Sequence, residues 1–272
     1  MEEPEKRRRS KPAKAQVEQD LKKVARIEAE NGLRQFDFVI EEIDKALQSD
    51  SPFVLRPSLI QKLNRLAIEN ISALPGVYRP GSMEITHSAH EPPPPEEVPG
   101  YMESLCDYIN GNADASPWHL AAYAMWRLNW VHPFEDGNGR TARAVSYLVL
   151  CVRLEQKLPG TKTIPDFIAD SKEPYYGGLE AADLAQMNGK TDVSSLEEVL
   201  KSALAAQLAD FHQDVTGQKL GDSGSEGLHS AVTVGASVRR RDSFLHRLYD
   251  RNPFWFWLVG IIIAIVVAIA FA

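Results

Sequence analysis

The spacing of apolar residues constrains the fold of this chain more than any other feature. Along residues 21–211 they recur mostly at intervals of three and four, the period of one face of an α-helix. Gly32 interrupts the first of the periodic segments, so that segment holds either one helix or two. No convincing sheet is found elsewhere, and the expected fold class is all-α. The pattern predicts helices over residues 21–47, 56–71, 96–109, 117–130, 140–154, 173–187 and 194–211.

One segment breaks the helical pattern, between the second and third predicted helices. Residues 83–90 are short and irregular, and four consecutive prolines at 92–95 follow them. Because a proline run fits neither a helix interior nor a central strand, it predicts a stiff, extended connector. We therefore expect an extended flap here, with at most one small β-hairpin near residues 83–90.

The C-terminal segment from Phe254 to Ala272 differs in kind from the rest of the chain. It contains no charged residue and opens with two Phe-Trp pairs. As a helix it would be roughly 28 Å long at about 1.5 Å per residue, close to the ~30 Å thickness of a bilayer's hydrocarbon core. Arginines at positions 239–251 precede it, and such a flank stays on the cytoplasmic side. The sequence predicts a single transmembrane helix, with the domain that precedes it on the cytoplasmic side.

Composition and charge bound the remaining possibilities. The formal net charge is −7, which argues against a nucleic-acid binder. The chain has 2 cysteines, too few for a disulfide framework. The expected organisation is a charged N-terminal helical extension at 1–50, a globular domain at 51–212, a flexible linker at 213–238, and a basic juxtamembrane segment with the transmembrane helix at 239–272.

A twelve-residue run from His132 to Arg143 lies between two predicted apolar helices. His132 precedes Pro133, which ends the helix and places the imidazole on a loop. Its ordinary pKa of about 6.5 suits a general base at neutral pH. An isolated histidine is more often structural, so the interpretation depends on its neighbours.

Those neighbours favour a phosphate site. Gly137 and Gly139, on either side of Asn138, stand directly before a predicted helix, where backbone amides can form a nest for phosphate oxygens. Arg140 and Arg143 follow near the positive end of that helix, an arrangement that favours an anion between them. The alternatives are an ordinary loop-to-helix turn and two solvated arginines.

Asp136 adds a carboxylate beside the proposed phosphate nest. One carboxylate together with phosphate oxygens commonly holds Mg²⁺ in nucleotide enzymes. Two other motif interpretations fail. A dinucleotide fingerprint needs a preceding strand, and an EF-hand loop needs ligands where Arg140 and Tyr147 stand.

The run from His132 to Arg143 resembles the signature of the Fic family, His-Pro-Phe-x-(Asp/Glu)-Gly-Asn-Gly-Arg-x-x-Arg, at every fixed position. The similarity extends over about residues 59–184 and includes a Pro-Gly-x-Tyr-Arg run at 75–79 and Tyr175-Tyr176-x-x-Leu179. The resemblance implies an all-α Fic core with a β-hairpin flap. It favours AMP transfer, because the phosphotransferase branch of the family departs from the glycines kept here.

The resemblance also implies roles for individual residues. His132 would deprotonate the target hydroxyl, and Asp136 would hold Mg²⁺. The amides around Gly137 to Gly139, with Asn138, would bind the α- and β-phosphates of ATP. Arg140 would steady the leaving phosphates, and Phe134 would anchor the loop in the core.

One class of the family carries an inhibitory helix with the pattern (Ser/Thr)-x-x-x-Glu-(Gly/Asn). Residues 65–70 lie upstream of the flap, and Glu69 and Asn70 fit this pattern, whereas Arg65 departs from it. The resemblance implies that Glu69 pairs with Arg143 and occupies the place of a γ-phosphate. The alternative is a solvated glutamate on a helix surface.

The primary functional hypothesis is therefore AMP transfer from Mg-ATP to a Ser, Thr or Tyr hydroxyl of a target protein. A second is removal of AMP from the modified protein, with Glu69 positioning a water. A third is a membrane-tethered nucleotide-binding module without turnover. The expected partners are ATP, a protein substrate and, through residues 254–272, a membrane. The oligomeric state stays open, a homodimer included.

Overall fold

The computed structural model describes residues 20–86 and 88–216. The first part of the predicted N-terminal extension, nearly all of the linker and the predicted transmembrane segment lie outside these residues. Within the described part of the chain, no helix combines the length and the apolar character needed to cross a membrane.

The described residues are predominantly α-helical, as the periodicity predicts. Each of the seven predicted ranges contains a helix, with ends shifted by a few residues, and a 3₁₀ turn at Pro95–Glu97 precedes the third. The helices are α1 (Leu21–Gln48), α2 (Pro57–Ile68), α3 (Val98–Gly111), α4 (Pro117–Val131), α5 (Asn138–Arg153), α6 (Ile164–Asp170), α7 (Lys172–Met187) and α8 (Ser194–Thr216).

The chain divides into two compact units. The first takes in the described residues up to Leu158 together with Ile168–Leu200. The second takes in Pro159–Phe167 and the described residues from Lys201 onward. Within this second unit the Gln207 side chain accepts from the amide of Ile164 (2.8 Å) and donates to the carbonyl of Pro159 (2.7 Å). All the site residues discussed below belong to the first unit.

Helix α1 is continuous, and Gly32 does not divide it. A Cβ at Gly32 would meet no atom within 4 Å, so the glycine lies on an open face and its helical φ is tolerated at a modest cost. The buried face of α1 contains Asn31, Gln35, Val39 and Ile43, and it packs against α2 and α5. Two of these side chains, Asn31 and Gln35, are polar amides. Helix α1 can therefore form hydrogen bonds to backbone groups as well as apolar contacts in the core.

Helices α4 and α5 form the most extensive helix pair among the described residues. α4 is apolar on nearly all sides, and Trp126 and Met125 are fully buried in it. On α5 the buried side chains include Val145, Tyr147 and Leu148. Burying each such side chain contributes roughly 1.5–3 kcal/mol, so this pair forms a rigid support for the loop between the two helices.

The predicted β-hairpin is not shown. The described residues contain no β-strand, and the flap carries just an isolated bridge residue at Ile85, with His87 outside the description. The two ends of the flap are held by a side chain instead of by cross-strand bonds, because Arg79 donates to the carbonyls of both Gly81 (2.9 Å) and Pro93.

Candidate active site

A six-residue loop, 132–137, connects α4 to α5 and begins with His132. His132 adopts a left-handed backbone conformation (φ 49°, ψ 58°), while its amide still donates to the carbonyl of Leu128 at 3.0 Å. Pro133 then prevents another helical turn. The result is an imidazole at the end of a buried helix, with 7% of the residue exposed.

The surroundings of His132 keep its imidazole neutral. Burial lowers the pKa of His132 to about 3, and the charges of Arg79 and His90 act in the same direction. The carbonyl oxygen of Asn129, 3.4 Å from His132 Nδ1, opposes the shift. Because a carbonyl oxygen accepts hydrogen bonds, Nδ1 carries the ring hydrogen in this arrangement and Nε2 carries the lone pair of a base.

The loop is locked from inside by Asn138. Its side-chain amide donates to the carbonyl of Phe134 (2.7 Å), and its side-chain oxygen accepts from the amide of Phe134 (3.0 Å). Phe134 is fully buried, as an anchor requires, and its ring lies 5.7 Å from that of Tyr78. The structure thus gives the Asn138 side chain a bracing role, whereas the resemblance implies phosphate binding.

Gly137 is the residue where α2 meets the loop. Its φ is +76°, and a Cβ there would lie 2.6 Å from Cγ2 of Ile68 and 3.0 Å from Nδ2 of Asn64. Any other residue would be strained and would also push the C-terminal end of α2 away. The space that a side chain would need at Gly137 is therefore occupied by helix α2. Gly139 lacks such crowding; a Cβ there would meet Arg143 Nη1 at 3.4 Å.

The first backbone amides of α5 are open. In the described part of the chain no group accepts a hydrogen bond from the amides of Asn138, Gly139 or Arg140. These are the orphan donors of a helix N-terminus, the groups that bind phosphate oxygens in other proteins. The amide of Gly137 is not available in the same way, because it donates to Asp136 Oδ1 at 2.6 Å.

Asp136 is the carboxylate expected to hold a metal. Its Oδ2 lies 3.3 Å from Arg140 Nη2, and its carbonyl accepts from Asn64 Nδ2 at 2.9 Å. Among the described residues no group of three or more His, Cys, Asp or Glu side chains is arranged to hold a metal ion. One carboxylate beside open amides fits Mg²⁺ if nucleotide phosphates supply further oxygens.

The two arginines of the run have different surroundings. Arg140 Nη1 lies 3.2 Å from Glu28 Oε1 on α1 and also donates to the carbonyl of Ala67 at 3.2 Å. Arg143, one turn further along α5, forms no ion pair with a described carboxylate. Arg143 is therefore the cation that remains available to an anion at this helix end.

Glu69 does not form the expected pair with Arg143. α2 ends at Ile68, and Glu69 Oε2 lies 3.1 Å from Arg34 Nη1, with 40% of the Glu69 side chain exposed. Asn31 explains the difference, because its side-chain amide donates to the carbonyl of Glu69 at 2.8 Å and ties the end of α2 to α1. The apolar period of α2 does not indicate that Asn31 of α1 binds the C-terminal end of this helix.

Asn64 is a residue that the sequence analysis missed. It is fully buried, its Nδ2 contacts the carbonyl of Asp136 and the Oγ1 of Thr141 (3.3 Å), and its Oδ1 accepts from the amide of Gly76 (3.0 Å). A polar residue next to the buried Leu63 on an amphipathic helix is the signal that could have identified it. It joins α2 to the loop and to the start of α5.

Arg79 and Glu28 were missed as well. Arg79 is 2% exposed, and its Nε donates to the carbonyl of His132 at 2.8 Å. Arg79 is the last residue of the Pro-Gly-x-Tyr-Arg run, so the sequence pointed to this residue, but no role was assigned to it. For Glu28 the signal was weaker, since a glutamate on a charged helix surface is ordinary.

Comparison with known proteins places this site in context. Residues 54–150 match the model of the Fic/DOC family. This range holds the complete run from His132 to Arg143 and also Asn64 and Arg79.

Curated proteins similar to this chain carry adenylyltransferase names. Protein adenylyltransferase Fic of Nematostella vectensis is 30% identical over 122 residues, 40% of this chain and 27% of that protein. Protein adenylyltransferase fic-1 of Caenorhabditis elegans is 32% identical over 98 residues, 35% of this chain and 18% of that protein. The chain thus spans only about a quarter or less of these relatives' length.

A solved structure of Fic-1 from Caenorhabditis elegans is similar over 69% of this chain and 52% of that chain, with a TM-score of 0.52 and 23% sequence identity. At this identity the likeness concerns the fold alone. The described helices share the helical Fic fold.

Proposed function

We propose that this chain, with its match to the Fic/DOC family over residues 54–150, is a protein adenylyltransferase that moves AMP from Mg-ATP to a Ser, Thr or Tyr hydroxyl of a target protein. One observation carries the proposal. A short loop joins His132, a neutral imidazole, to the N-terminus of α5, where the amides of Asn138 to Arg140 and the side chain of Arg143 are open in the described part of the chain. The names of the curated relatives support the same reaction class.

The reaction needs a base for the acceptor and an anion site for the donor. Nε2 of His132 takes the proton of the hydroxyl while the hydroxyl oxygen forms a bond to the α-phosphorus. The bond from that phosphorus to the oxygen bridging to the β-phosphorus breaks, and pyrophosphate leaves with the electron pair. The amides at the start of α5 and the cation of Arg143 stabilise the phosphate charge that develops in this step.

Asp136 is the residue we assign to Mg²⁺. The ion, when bound with the nucleotide, neutralises phosphate charge. The chain contributes the carboxylate and its position, which the loop fixes through Asn64 at the carbonyl of Asp136 and Gly137 at Oδ1. Arg140 Nη2 lies 3.3 Å from Oδ2 of the same carboxylate.

We further propose that the described state is auto-inhibited through Glu28. Its carboxylate lies against Arg140, at 3.2 Å, where it repels a polyphosphate and engages one of the cations assigned to the nucleotide. Glu69, for which the resemblance implies the inhibitory role, pairs with Arg34 in the described state. The Glu28–Arg140 ion pair is partly exposed, so breaking it costs little free energy and the inhibition is weak.

The reverse reaction is a second candidate, favoured by the same contact. A carboxylate beside Arg140 can position a water for attack on an AMP already attached to a target protein. Glu28 would then be needed for AMP removal and would oppose AMP transfer. A binding module without turnover is the third candidate, and it predicts ATP binding with neither reaction.

We also propose that residues 254–272 attach the chain to a membrane, with the catalytic domain on the cytoplasmic side. Support comes from the uncharged sequence of these residues and from the arginines before them. They lie outside the described residues, so the proposal depends on the sequence.

Transfer of label from α-³²P-labelled ATP to proteins of a cell lysate tests the proposed function. The full chain with Mg²⁺ should label proteins, and His132→Ala should lower the rate by about 10²–10⁴-fold, the usual cost of losing a general base. Isothermal titration should show that His132→Ala binds ATP nearly as the unaltered chain does, since the base acts on the acceptor. Equal labelling by both chains would exclude His132 as the base, and ATP binding without any labelling would favour the binding module.

A further inference from the structure

Arg79 is a buried arginine whose partners are all backbone carbonyls. Its Nε donates to His132 (2.8 Å), its Nη1 to Gly81 (2.9 Å), and its Nη2 to Pro93 and, at 3.4 Å, to Val131. No described carboxylate pairs with it. A buried cation is costly, and here carbonyl dipoles, two of them at the negative C-terminal end of α4, compensate the charge.

The backbone of Arg79 holds the same loop a second time. Its amide donates to the carbonyl of Pro133 at 2.8 Å. The carbonyls of His132 and Pro133 are therefore both fixed by Arg79, one by the side chain and the other by the main chain. His132 needs this support, because a left-handed backbone costs a non-glycine residue about 1–2 kcal/mol.

The same guanidinium also fixes both ends of the flap. Gly81 lies at its beginning and Pro93 at its end, and their carbonyls accept from the two terminal nitrogens of Arg79. The planar fork of an arginine can hold these groups in one plane together with His132, whereas a lysine ammonium cannot. A displacement of the flap ends is thereby transmitted to the residue that carries the base.

We infer that Arg79 is the positioning residue of the site: it holds His132 in place for the reaction and couples the flap to it. The inference rests on the proposed function and adds a role for a residue outside the signature run. It has two separable parts, geometry and charge. Holding the three carbonyls in place requires the planar guanidinium of an arginine. The effect on the protonation of His132 requires only a positive charge at position 79.

The charge part concerns the protonation of His132. Burial is the main cause of its lowered pKa, and Arg79 and His90 are the charged or titratable groups that add to it. A cation at position 79 disfavours the imidazolium and keeps Nε2 available to accept a proton. Replacing it by a neutral side chain removes this contribution, so the pKa of His132 should rise.

Two variants separate the parts. Arg79→Lys keeps the charge and loses the fork, and Arg79→Gln loses both. We expect both to lower the maximal rate of labelling from α-³²P-labelled ATP by about 10²-fold, the effect of a small misplacement of a reacting group. The Kd for ATP, measured by titration, should stay within about twofold. In ¹⁵N-histidine NMR spectra the pKa of His132 should rise in Arg79→Gln and stay near its original value in Arg79→Lys.

Arg153→Lys is the matched control. Arg153 is also a partly buried arginine bonded to a carbonyl, that of Ile109 at 2.7 Å, and burial lowers its pKa as it does that of Arg79. This variant should lower Tm and leave the labelling rate unchanged. Circular dichroism gives the folded fraction of every variant, and rates are compared per folded molecule.

The outcomes distinguish the inference from the function on which it rests. An Arg79→Lys chain that labels at the original rate would overturn the inference, and so would a loss confined to ATP affinity. If the unaltered chain and His132→Ala both fail to label, the proposed function fails first. In that case an unmoved His132 resonance in both Arg79 variants would show independently that Arg79 does not position the imidazole.

Discussion

The protonation of His132 makes the stability of the folded chain depend on pH. Its pKa is lowered to about 3 in the folded chain, while in the unfolded chain it has its ordinary value near 6.5. Between these values the unfolded state binds more protons, so stability falls as pH falls through this window. From pH 7 to pH 5 the loss from this residue amounts to about 2 kcal/mol.

The fragment 1–238, which keeps every described residue, allows a test of this acid response. Urea unfolding followed by tryptophan fluorescence should show that His132→Gln loses up to about 2 kcal/mol less stability than the unaltered fragment between pH 7 and pH 5. The carboxylates titrate alike in both fragments and cancel in the difference. Equal losses would mean that the imidazole is accessible to protons in the folded state.

Gly137 offers a second test, of the contact between α2 and the loop. Gly137→Ala adds a left-handed alanine and a methyl group 2.6 Å from Ile68 Cγ2, so it should destabilise the fold by about 2–5 kcal/mol. Gly189→Ala is the matched control, because Gly189 has a similar φ of +70° but nothing within 4 Å of its Cβ position. It should cost about 1–2 kcal/mol. Similar unfolding midpoints for both would mean that α2 yields easily.

At the scale of single residues, the sequence shows residue types more clearly than contacts. The run from His132 to Arg143 indicated a candidate base, a helix end and two arginines, because each of these depends on residue type and local spacing. It did not show that Asn138 braces Phe134 or that Asn64 reaches Asp136. The Asn64–Asp136 bond joins segments 72 residues apart, and local spacing carries no record of it. Asn138 and Phe134 are only four residues apart, but their bonds depend on the path of the loop, which the spacing does not give.

Helix α1 is the element that the structure brings to the site. Asn31 ties it to the end of α2, and Glu28 reaches Arg140 on α5. The periodicity predicted this helix, and Gly32 lies on its open face, where the glycine costs the helix little. Its partner helices could not be predicted from period alone. α6 was missed for a different reason, because a helix as short as Ile164–Asp170 spans too few turns to show a period.

The role of α1 can be tested with a pair of glutamate variants. Glu28→Gln removes the charge that engages Arg140 and should increase the apparent affinity for ATP by about two- to fivefold, the scale of a partly exposed ion pair. Glu69→Gln is the matched control and should leave it unchanged, because Glu69 pairs with Arg34. Labelling rates at several ATP concentrations measure both.

Three other results would change the interpretation of these variants. A gain with Glu69→Gln alone would return the inhibitory role to Glu69. No change with either would remove auto-inhibition through these contacts. Loss of AMP removal from a labelled protein in Glu28→Gln would favour the reverse reaction, and following both directions on one labelled substrate separates that outcome.

For the whole molecule, the sequence of residues 254–272 predicts membrane attachment. The segment 254–272 is uncharged, and nineteen residues of this composition would be long enough, as a helix, to span the hydrocarbon core of a bilayer. The full chain should therefore stay in the membrane pellet after carbonate extraction, whereas the fragment 1–238 should be recovered in the supernatant.

A matched variant tests the same attachment without a deletion. Replacing Ile263 and Val266 by aspartate puts two charges near the middle of the segment, each costing about 2.5–3.5 kcal/mol, which should release the chain as the deletion does. Proteolysis of sealed vesicles should degrade the catalytic domain from the cytoplasmic side if the arginines at 239–251 remain there. Recovery of the unaltered full chain in the supernatant would remove the anchor, and protection of the domain inside the vesicles would reverse its orientation. Neither result would affect the site, because every residue assigned to it lies within residues 28–143 of the described part of the chain.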